Sequence, residues 1–254
     1  QRISTTLHPT RLIDNIPLSL DAPQEEDFGL ANQSPYSFIH MFTFPHQARD
    51  FFFKYALLEG LSEAALARWK QSYLHILTKA SYYSGGKRLV LKGPANSGRI
   101  PTILSMFPDA RFIHIVRNPL DVVPSTVHMW EIVQKQNCLT GFASRPRIGE
   151  VTAVLADLLA TIERDQHYIK PGNFATVKFE DLEADPETVM DSLYNQFNLR
   201  VPTDFNARIN DFVTANEGFR KNIFELPEQD KVYIRSQLEV FMEGYITFIL
   251  LVRT

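Results

Sequence analysis

Residues 88–130, RLVLKGPANSGRIPTILSMFPDARFIHIVRNPLDVVPSTVHMW, carry two short aliphatic runs, each closed by a cation and a proline-containing turn. Arg88 to Leu91 ends in Lys92, Gly93 and Pro94, and Arg111 to Val116 ends in Arg117, Asn118 and Pro119. Such runs, rich in branched aliphatic residues and bounded by turn formers, read as buried strands. Between them Ile100, Ile103, Leu104 and Phe107 recur at helical spacing until Pro108 and Asp109 stop the helix. The segment therefore reads as a right-handed β-α-β unit with parallel strands. Lys92 and Arg117 are expected at the same sheet edge, the carboxyl edge where open parallel sheets bind ligands. Two cations at that edge suit an anion.

Ser125 extends the pattern. Pro124 has no amide hydrogen and is best tolerated in a first helical turn, so the helix carrying Thr126, His128 and Trp130 is expected to start near residues 120–123. Ser125 would then lie close to the amino end of that helix. A guanidinium at a strand end, a hydroxyl eight residues later and free amides at a helix start together suit a phosphate. The same residues also allow a plainer arrangement, in which Arg117 pairs with Asp121 and Ser125 caps the helix.

The stretch from Arg117 to Ser125, RNPLDVVPS, resembles the 3′-phosphate motif of sulfotransferases that use 3′-phosphoadenosine 5′-phosphosulfate (PAPS). In that motif an arginine after a strand and a serine eight residues on hold the 3′-phosphate. Leu91 to Ile100, continued by Phe107 to Phe112, is similar to the K-[ST]-P-x-H-x-x-R segment of a largely bacterial branch. Phe179-Glu180-Asp181-Leu182 with Asp185-Pro186-Glu187 is similar to the family's Y-E-D-L-x-x-D-P-E, and Pro23 to Phe28 to its acidic P-Q-E-D-E-F. Four segments in the right order, over roughly residues 11–245, make the resemblance specific.

The resemblance implies an α/β, P-loop-type three-layer fold with a mainly parallel central sheet flanked by helices, as one domain over residues 1–254. It implies PAPS as co-substrate, no metal, and sulfuryl transfer to a hydroxyl or amine of a small-molecule or carbohydrate acceptor. Arg117 and Ser125 would hold the 3′-phosphate. Phe179 would flank the adenine unless it is a core residue, and Arg220-Lys221 would reach the 3′-phosphate unless they are simply solvated. Lys92 would neutralise the sulfuryl oxygens. The general base is Glu25 in this reading, although the run Glu25-Glu26-Asp27 also reads as a solvated helix start. His40, His46 and His128 are the other imidazoles considered for that role. Arg99 is expected to hold a carboxylate or a helix end.

Three departures stand out. Asn96 replaces the branch's histidine and cannot accept a proton at neutral pH. Phe179 stands where tyrosine is common. The P-R-S-G-T-T-type loop that wraps the 5′-phosphosulfate, with its preceding strand, is not found before residue 20; Gln1 to Leu7 echoes it only faintly, which suggests an amino-terminal portion absent from these residues. Without that strand a central place in the sheet is expected to be vacant, exposing ladder groups on its neighbours. Two other classes stay open: a nucleotide-binding remnant without turnover, and a P-loop kinase-like phosphotransferase. The latter is disfavoured because Gly85-Gly86-Lys87-Arg88 does not fit G-x-x-x-x-G-K-[ST].

Composition narrows the partners. The 254 residues carry 26 Lys plus Arg against 29 Asp plus Glu, a formal charge of −3, which offers no polybasic signal for nucleic acid. The single cysteine, Cys138, cannot form an internal disulfide, and no Cys or His pair has zinc spacing. The apolar stretch Tyr245 to Val252 is too short to span a bilayer, and a cytoplasmic location is the default expectation. No oligomeric state follows from the sequence.

Along the chain, residues 1–35 read as loop with a short helix near Glu25 to Leu30. Residues 36–84 form an aromatic-rich helical cap, in which Phe38, Phe42, Phe44, Phe51, Phe52, Phe53 and Tyr55 either build core or line an acceptor pocket. A helix follows from about Glu63 to Tyr83. Further elements are a helix from about Glu150 to Tyr168, a strand Ala175 to Phe179, and a mostly helical remainder over residues 184–254 with breaks at Pro202 and Pro227.

Overall fold

The computed structural model describes residues 10–14, 16, 17, 19, 22–141, 146–241 and 248–252. Four strands are found among them: β1 (Leu89–Lys92), β2 (Arg111–Val116), β3 (Phe174–Lys178) and β4 (Phe248–Val252). The helices in chain order are α1 (Glu26–Gln33), α2 (His40–Thr43), α3 (Ala48–Phe51), α4 (Glu63–Tyr83), α5 (Ile100–Met106) and α6 (Pro119–Asn137). They continue with α7 (Ile148–Asp165), α8 (Phe179–Ala184), α9 (Pro186–Gln196), α10 (Phe205–Asn216) and α11 (Glu228–Leu238).

The sheet order is β1-β4-β2-β3. β2 and β3 pair in parallel, whereas β4 is antiparallel to both β1 and β2. The expectation of a mainly parallel sheet is thus corrected to a mixed one, and the helical reading of residues 184–254 misses its last strand. The reason is local. Phe248 to Val252 is a continuous apolar run, and periodicity alone does not separate a strand buried on both faces from a stretch of buried helix. The central place expected to be vacant is occupied: β4 lies between the two strands whose ends carry Lys92 and Arg117, and its backbone satisfies ladder groups on both. Because β4 opposes each of them, β1 and β2 run the same way. Lys92 and Arg117 therefore do emerge at one edge of the sheet.

Alternation along the strands makes three layers. Leu89, Leu91, Phe112, Leu250 and Val252 join one core with Val123 and Val127 of α6, Leu158 of α7 and Ile234 of α11. Ile113, Ala175 and Val177 join a second with Leu193 and Phe197, against which Leu182, Val189, Ile249 and Leu251 pack. Helices thus cover both faces of the sheet.

The aromatic-rich region is built on α4. Ser62 accepts a hydrogen bond from the Ala65 amide at 3.3 Å and caps the helix, Trp69, Tyr73 and Leu77 recur every fourth residue and are buried, and Gly85 and Gly86 at φ 67° and 74° turn the chain out. Upstream, a π-helical turn at Phe52–Ala56 presses its backbone against the turn after β1. At Gly98 a Cβ atom would stand 2.6 Å from the Ala56 carbonyl oxygen, so only glycine fits that approach.

Candidate active site

Three consecutive acids at the start of α1 set the site. Successive helical residues are turned by about 100°, so the three cannot share an environment. Glu25, the extended residue before α1, points to Lys92 at the end of β1, and the two form an ion pair. Their side chains are 21% and 61% exposed, so the pair sits at a surface opening rather than in the core. Both line a cavity of about 420 Å³ whose walls are mostly apolar, with Phe38, Phe42, Phe52, Trp130, Val154 and Leu155 among them. Ser125 and Thr126 of α6 border the same space. Three rings of the aromatic region are thus both core and wall, since Phe38, Phe42 and Phe52 are buried and also face the cavity.

Two further charges at this cavity carry no motif that would have flagged them. Arg11 Nε donates to Asp14 Oδ1 at 2.9 Å, within a turn closed by the Arg11 amide on the Ile16 carbonyl at 2.8 Å. Asn222 ties that turn down by donating to the Ile13 carbonyl at 2.9 Å. Arg11 and Asp14 line the cavity beside Glu25 and Lys92.

Beneath the opening, Glu26 and Asp27 are buried, which overturns the reading of the acidic run as a solvated helix start. Arg99 forks onto Asp27, with Nη1 to Oδ2 at 2.7 Å and Nη2 to Oδ1 at 3.0 Å, while its Nε donates to the Tyr55 carbonyl at 3.1 Å. Its carboxylate-holding role is as expected. The guanidinium carbon lies 4.9 Å from the Trp69 ring centroid, and that ring stacks on Tyr73 at 4.7 Å. Glu26 Oε1 accepts from Asn96 Nδ2 at 2.6 Å and from the Tyr73 hydroxyl at 3.1 Å. Burial, and then the neighbouring Asp27, raise the Glu26 pKa; burial together with Glu26 pushes the Tyr73 phenol well above its ordinary range. Asn96 therefore serves as a donor that anchors a carboxylate.

The surroundings of Arg117 differ. Among the described residues no ion pair holds Arg117, and the expected alternative bridge to Asp121 is not formed. The guanidinium instead lies over Phe179, 4.6 Å from its centroid, and Lys221 Nζ approaches the same ring at 5.5 Å while pairing with Glu183 at 2.6 Å. Phe179 is half-buried, belongs to neither core cluster, and opens α8 rather than ending β3. Arg220 is exposed and makes no recorded contact with these groups among the described residues.

Ser125 requires a correction. Helix α6 starts at Pro119, not near residues 120–123, because Asn118 supplies a cap by accepting from the Leu120 amide at 3.0 Å and Pro119 suits the first position. Pro124 consequently lies inside the helix and Ser125 in its second turn. The amides of Asp121 and Val122 both donate to the Asn118 carbonyl at 3.0 Å, so those first-turn donors are engaged. Ser125 borders the cavity that Glu25 and Lys92 share, whereas Arg117 is not among the residues that line it.

The histidines lie elsewhere. His40 Nε2 is 3.0 Å from the Ser34 carbonyl, His128 packs 5.3 Å from Phe224, and His46 borders a second cavity. None lines the space that Glu25 and Lys92 share. Among the described residues no cluster of His, Cys, Asp or Glu could hold a metal ion, and no helix is long and apolar enough to cross a membrane. The faint echo of a 5′-phosphosulfate loop at Gln1 to Leu7 lies outside the described residues.

A sequence model of the sulfotransferase family matches residues 7–203. The chain belongs to the sulfotransferase family. The omega-hydroxy-beta-dihydromenaquinone-9 sulfotransferases Stf3 of Mycobacterium tuberculosis and Mycobacterium bovis are each 29% identical to it over 238 residues, covering 92% of this chain. The chain spans about 60% of the length of these curated relatives. The crystal structure of sulfotransferase STF9 from Mycobacterium avium superposes with a TM-score of 0.66 at 17% identity, over 87% of this chain and 56% of that one. At that identity the likeness is one of fold.

Proposed function

We propose that this sulfotransferase-family chain binds PAPS and transfers its sulfuryl group to a hydroxyl or amine of a small-molecule acceptor. The observation that carries the reading is the Glu25–Lys92 pair at the opening of an apolar cavity that Ser125 also borders. A carboxylate and an ammonium in contact beside a substrate-sized space are the two groups that sulfuryl transfer needs. The acceptor's lone pair attacks sulfur, the bond from sulfur to the 5′-phosphate oxygen breaks, and Glu25 takes the acceptor's proton. Lys92 neutralises charge on the sulfuryl and leaving oxygens.

Arg117 and Ser125 hold the 3′-phosphate in this reading, with Phe179 against the adenine and Lys221 as a second cation. Arg117 suits the role because among the described residues no carboxylate pairs with it, and its planar fork matches a phosphate. The relative's named acceptor, an omega-hydroxy-dihydromenaquinone, fits a hydroxyl-bearing small molecule better than a carbohydrate, as does the apolar cavity wall.

Calorimetry with adenosine 3′,5′-bisphosphate tests the donor half. The wild-type chain is expected to bind it, and Arg117→Ala to bind at least about tenfold more weakly through loss of a charge-assisted contact. Equal affinity in the two proteins, or a preference for ATP, would refute the assignment. For the acceptor half, Glu25→Gln is expected to keep nucleotide affinity and to lower turnover by about 10²–10⁴-fold, the ordinary contribution of a general base. Undiminished turnover would remove Glu25 from the role.

A further inference from the structure

The three acids at the start of α1 meet the segment after β1 in sequence order. Glu25 pairs with Lys92, Glu26 with Asn96, and Asp27 with Arg99. The outermost pair is the weakest. With side chains 21% and 61% exposed, it contributes little and cannot fix its own geometry, because water competes for both groups. The inner contacts are dry: Asn96, Arg99, Asp27 and Tyr73 are fully buried and Glu26 nearly so. Asn96 Nδ2 donates to Glu26 Oε1 at 2.6 Å, and the Tyr73 hydroxyl, which donates to the same oxygen at 3.1 Å, lies 3.3 Å from Asn96 Oδ1. At Gly93, next to Lys92, a Cβ atom would stand 3.3 Å from Asn96 Nδ2 and 3.5 Å from Glu26 Oε1, so this contact rests against the turn that follows the lysine.

We propose that Glu26 and Asn96 are positioning residues: clamped together and braced by Tyr73, they set the placement of Glu25 against Lys92. Their role rests on the sulfuryl-transfer reading for the reaction that the pair performs. Glu26 shares a peptide bond with Glu25, and Asn96 lies four residues beyond Lys92, so the 2.6 Å contact joins the two backbones that carry the reactive groups. A buried polar contact holds one arrangement, since either partner displaced from it would be unsatisfied in the interior. Apolar side chains in the same place would hold the elements together without fixing their offset, because their attraction has no direction. The offset matters to the chemistry: misplacing a reacting group by about 1 Å costs about a hundredfold in rate.

Labelling of Lys92 reads this geometry without depending on the reaction. The full chain is treated with trace acetic anhydride, and acetylation of Lys92 is compared by peptide mass spectrometry with that of Lys79, an exposed lysine of α4. Glu25→Gln is expected to raise the ratio of Lys92 to Lys79 by up to about fivefold, the ceiling for an exposed ion pair. Asn96→Ala and Glu26→Ala are expected to raise it as far, although among the described residues no hydrogen bond or ion pair joins either side chain to Lys92. Glu26→Gln keeps an oxygen for the Asn96 amide and is expected to return the ratio to within about twofold of the wild type, which separates the clamp from its charge. Tyr73→Phe keeps the ring that stacks on Trp69 and removes only the brace; it is expected to raise the ratio by less, and it gives the reading if Asn96→Ala does not fold. Leu193→Ala, in the core on the other face of the sheet, is the control for general loosening and is expected to lose stability while the ratio stays as it was.

With PAPS and 2-naphthol as the probe acceptor, Asn96→Ala and Glu26→Ala are expected to lower kcat by about tenfold to a hundredfold while KM for PAPS stays within about twofold. A Lys92 ratio that stays at the wild-type value in Asn96→Ala and Tyr73→Phe, or that rises equally in Leu193→Ala, would overturn the positioning role and leave the network as framework alone. The expected labelling pattern in a chain that does not bind adenosine 3′,5′-bisphosphate would keep the clamp and sink the sulfuryl-transfer reading. Nucleotide binding with no response of Lys92 to Asn96→Ala or Tyr73→Phe would do the reverse.

Discussion

Arg99 follows β1 after one helical turn and Arg117 follows β2 directly, yet the two have opposite surroundings. Arg99 is fully buried, forked onto Asp27 at 2.7 and 3.0 Å, and covered by the Trp69 ring. Arg117 is half-buried, lies against one face of Phe179, and has no carboxylate partner among the described residues. A guanidinium whose donors are already engaged by carboxylate and carbonyl oxygen fixes the chain. One that keeps its donors free is available to a ligand anion. The same division runs through the acidic stretch, where Glu26 and Asp27 are consumed by the interior while Glu25, one residue earlier, faces the cavity.

The division breaks most visibly at Arg99. Arg99→Ala leaves Asp27 as a buried, uncompensated charge and is expected to cost about 3–5 kcal/mol, because removing one partner of a buried pair costs far more than the pair itself contributes. Denaturant midpoints measure it. A loss below about 1 kcal/mol would mean that water or the remaining partner, Ser37, whose hydroxyl is 3.3 Å from Asp27 Oδ1, already satisfies the carboxylate.

How far the sequence reaches follows the same line. The strands with Lys92 and Arg117, the helix between them and the common direction of the two strand ends were legible because turn residues and apolar runs are local signals. The register of α6 was not: Asn118 and Pro119 form a stronger start signal than Pro124, and the start they set moves Ser125 into the second turn. β4 was hidden because a run apolar on both faces has no period to read. The burial of Glu26 was hidden too, since its partners Tyr73 and Asn96 are 47 and 70 residues away in the chain. Arg11 and Asp14 join the cavity through a turn pinned by Asn222, 209 residues from the Ile13 carbonyl that it binds. Long-range partners of this kind leave no local pattern.

Glu26 sharpens the buried side of the comparison through its pH dependence. Its folded-state pKa is raised, first by burial and then by Asp27, so the folded chain holds a proton there more readily than the unfolded chain. The stability contributed by the protonated form is complete below the unfolded carboxyl range, about pH 4.3. It is lost as pH rises through the folded value. Glu26→Gln keeps an oxygen for Asn96 and carries no charge. The variant is expected to match the wild type near pH 4 and to exceed it near pH 8 by about 1 kcal/mol. Denaturant midpoints of the two proteins at both pH values decide the matter, and a variant less stable at pH 8 would mean that the ionised carboxylate is what Asn96 and Tyr73 hold.

The smallest stability effect is expected on the other side. If Arg117 is held for a ligand, then Arg117→Ala removes a ring contact at 4.6 Å and, among the described residues, no ion pair. Cation–ring contacts at partly exposed sites contribute about 0.5–1 kcal/mol, and Lys221 remains beside Phe179 to keep part of that environment. The variant should unfold within about 0.5 kcal/mol of the wild type, the usual span for surface changes, while losing nucleotide affinity as proposed above. Adenosine 3′,5′-bisphosphate should then raise the thermal midpoint of the wild type and not that of the variant, since a ligand stabilises only the form that binds it. A loss of 2 kcal/mol or more in the absence of nucleotide, about the scale of a lost structural contact, would place Arg117 with Arg99 as part of the framework and erase the distinction between them.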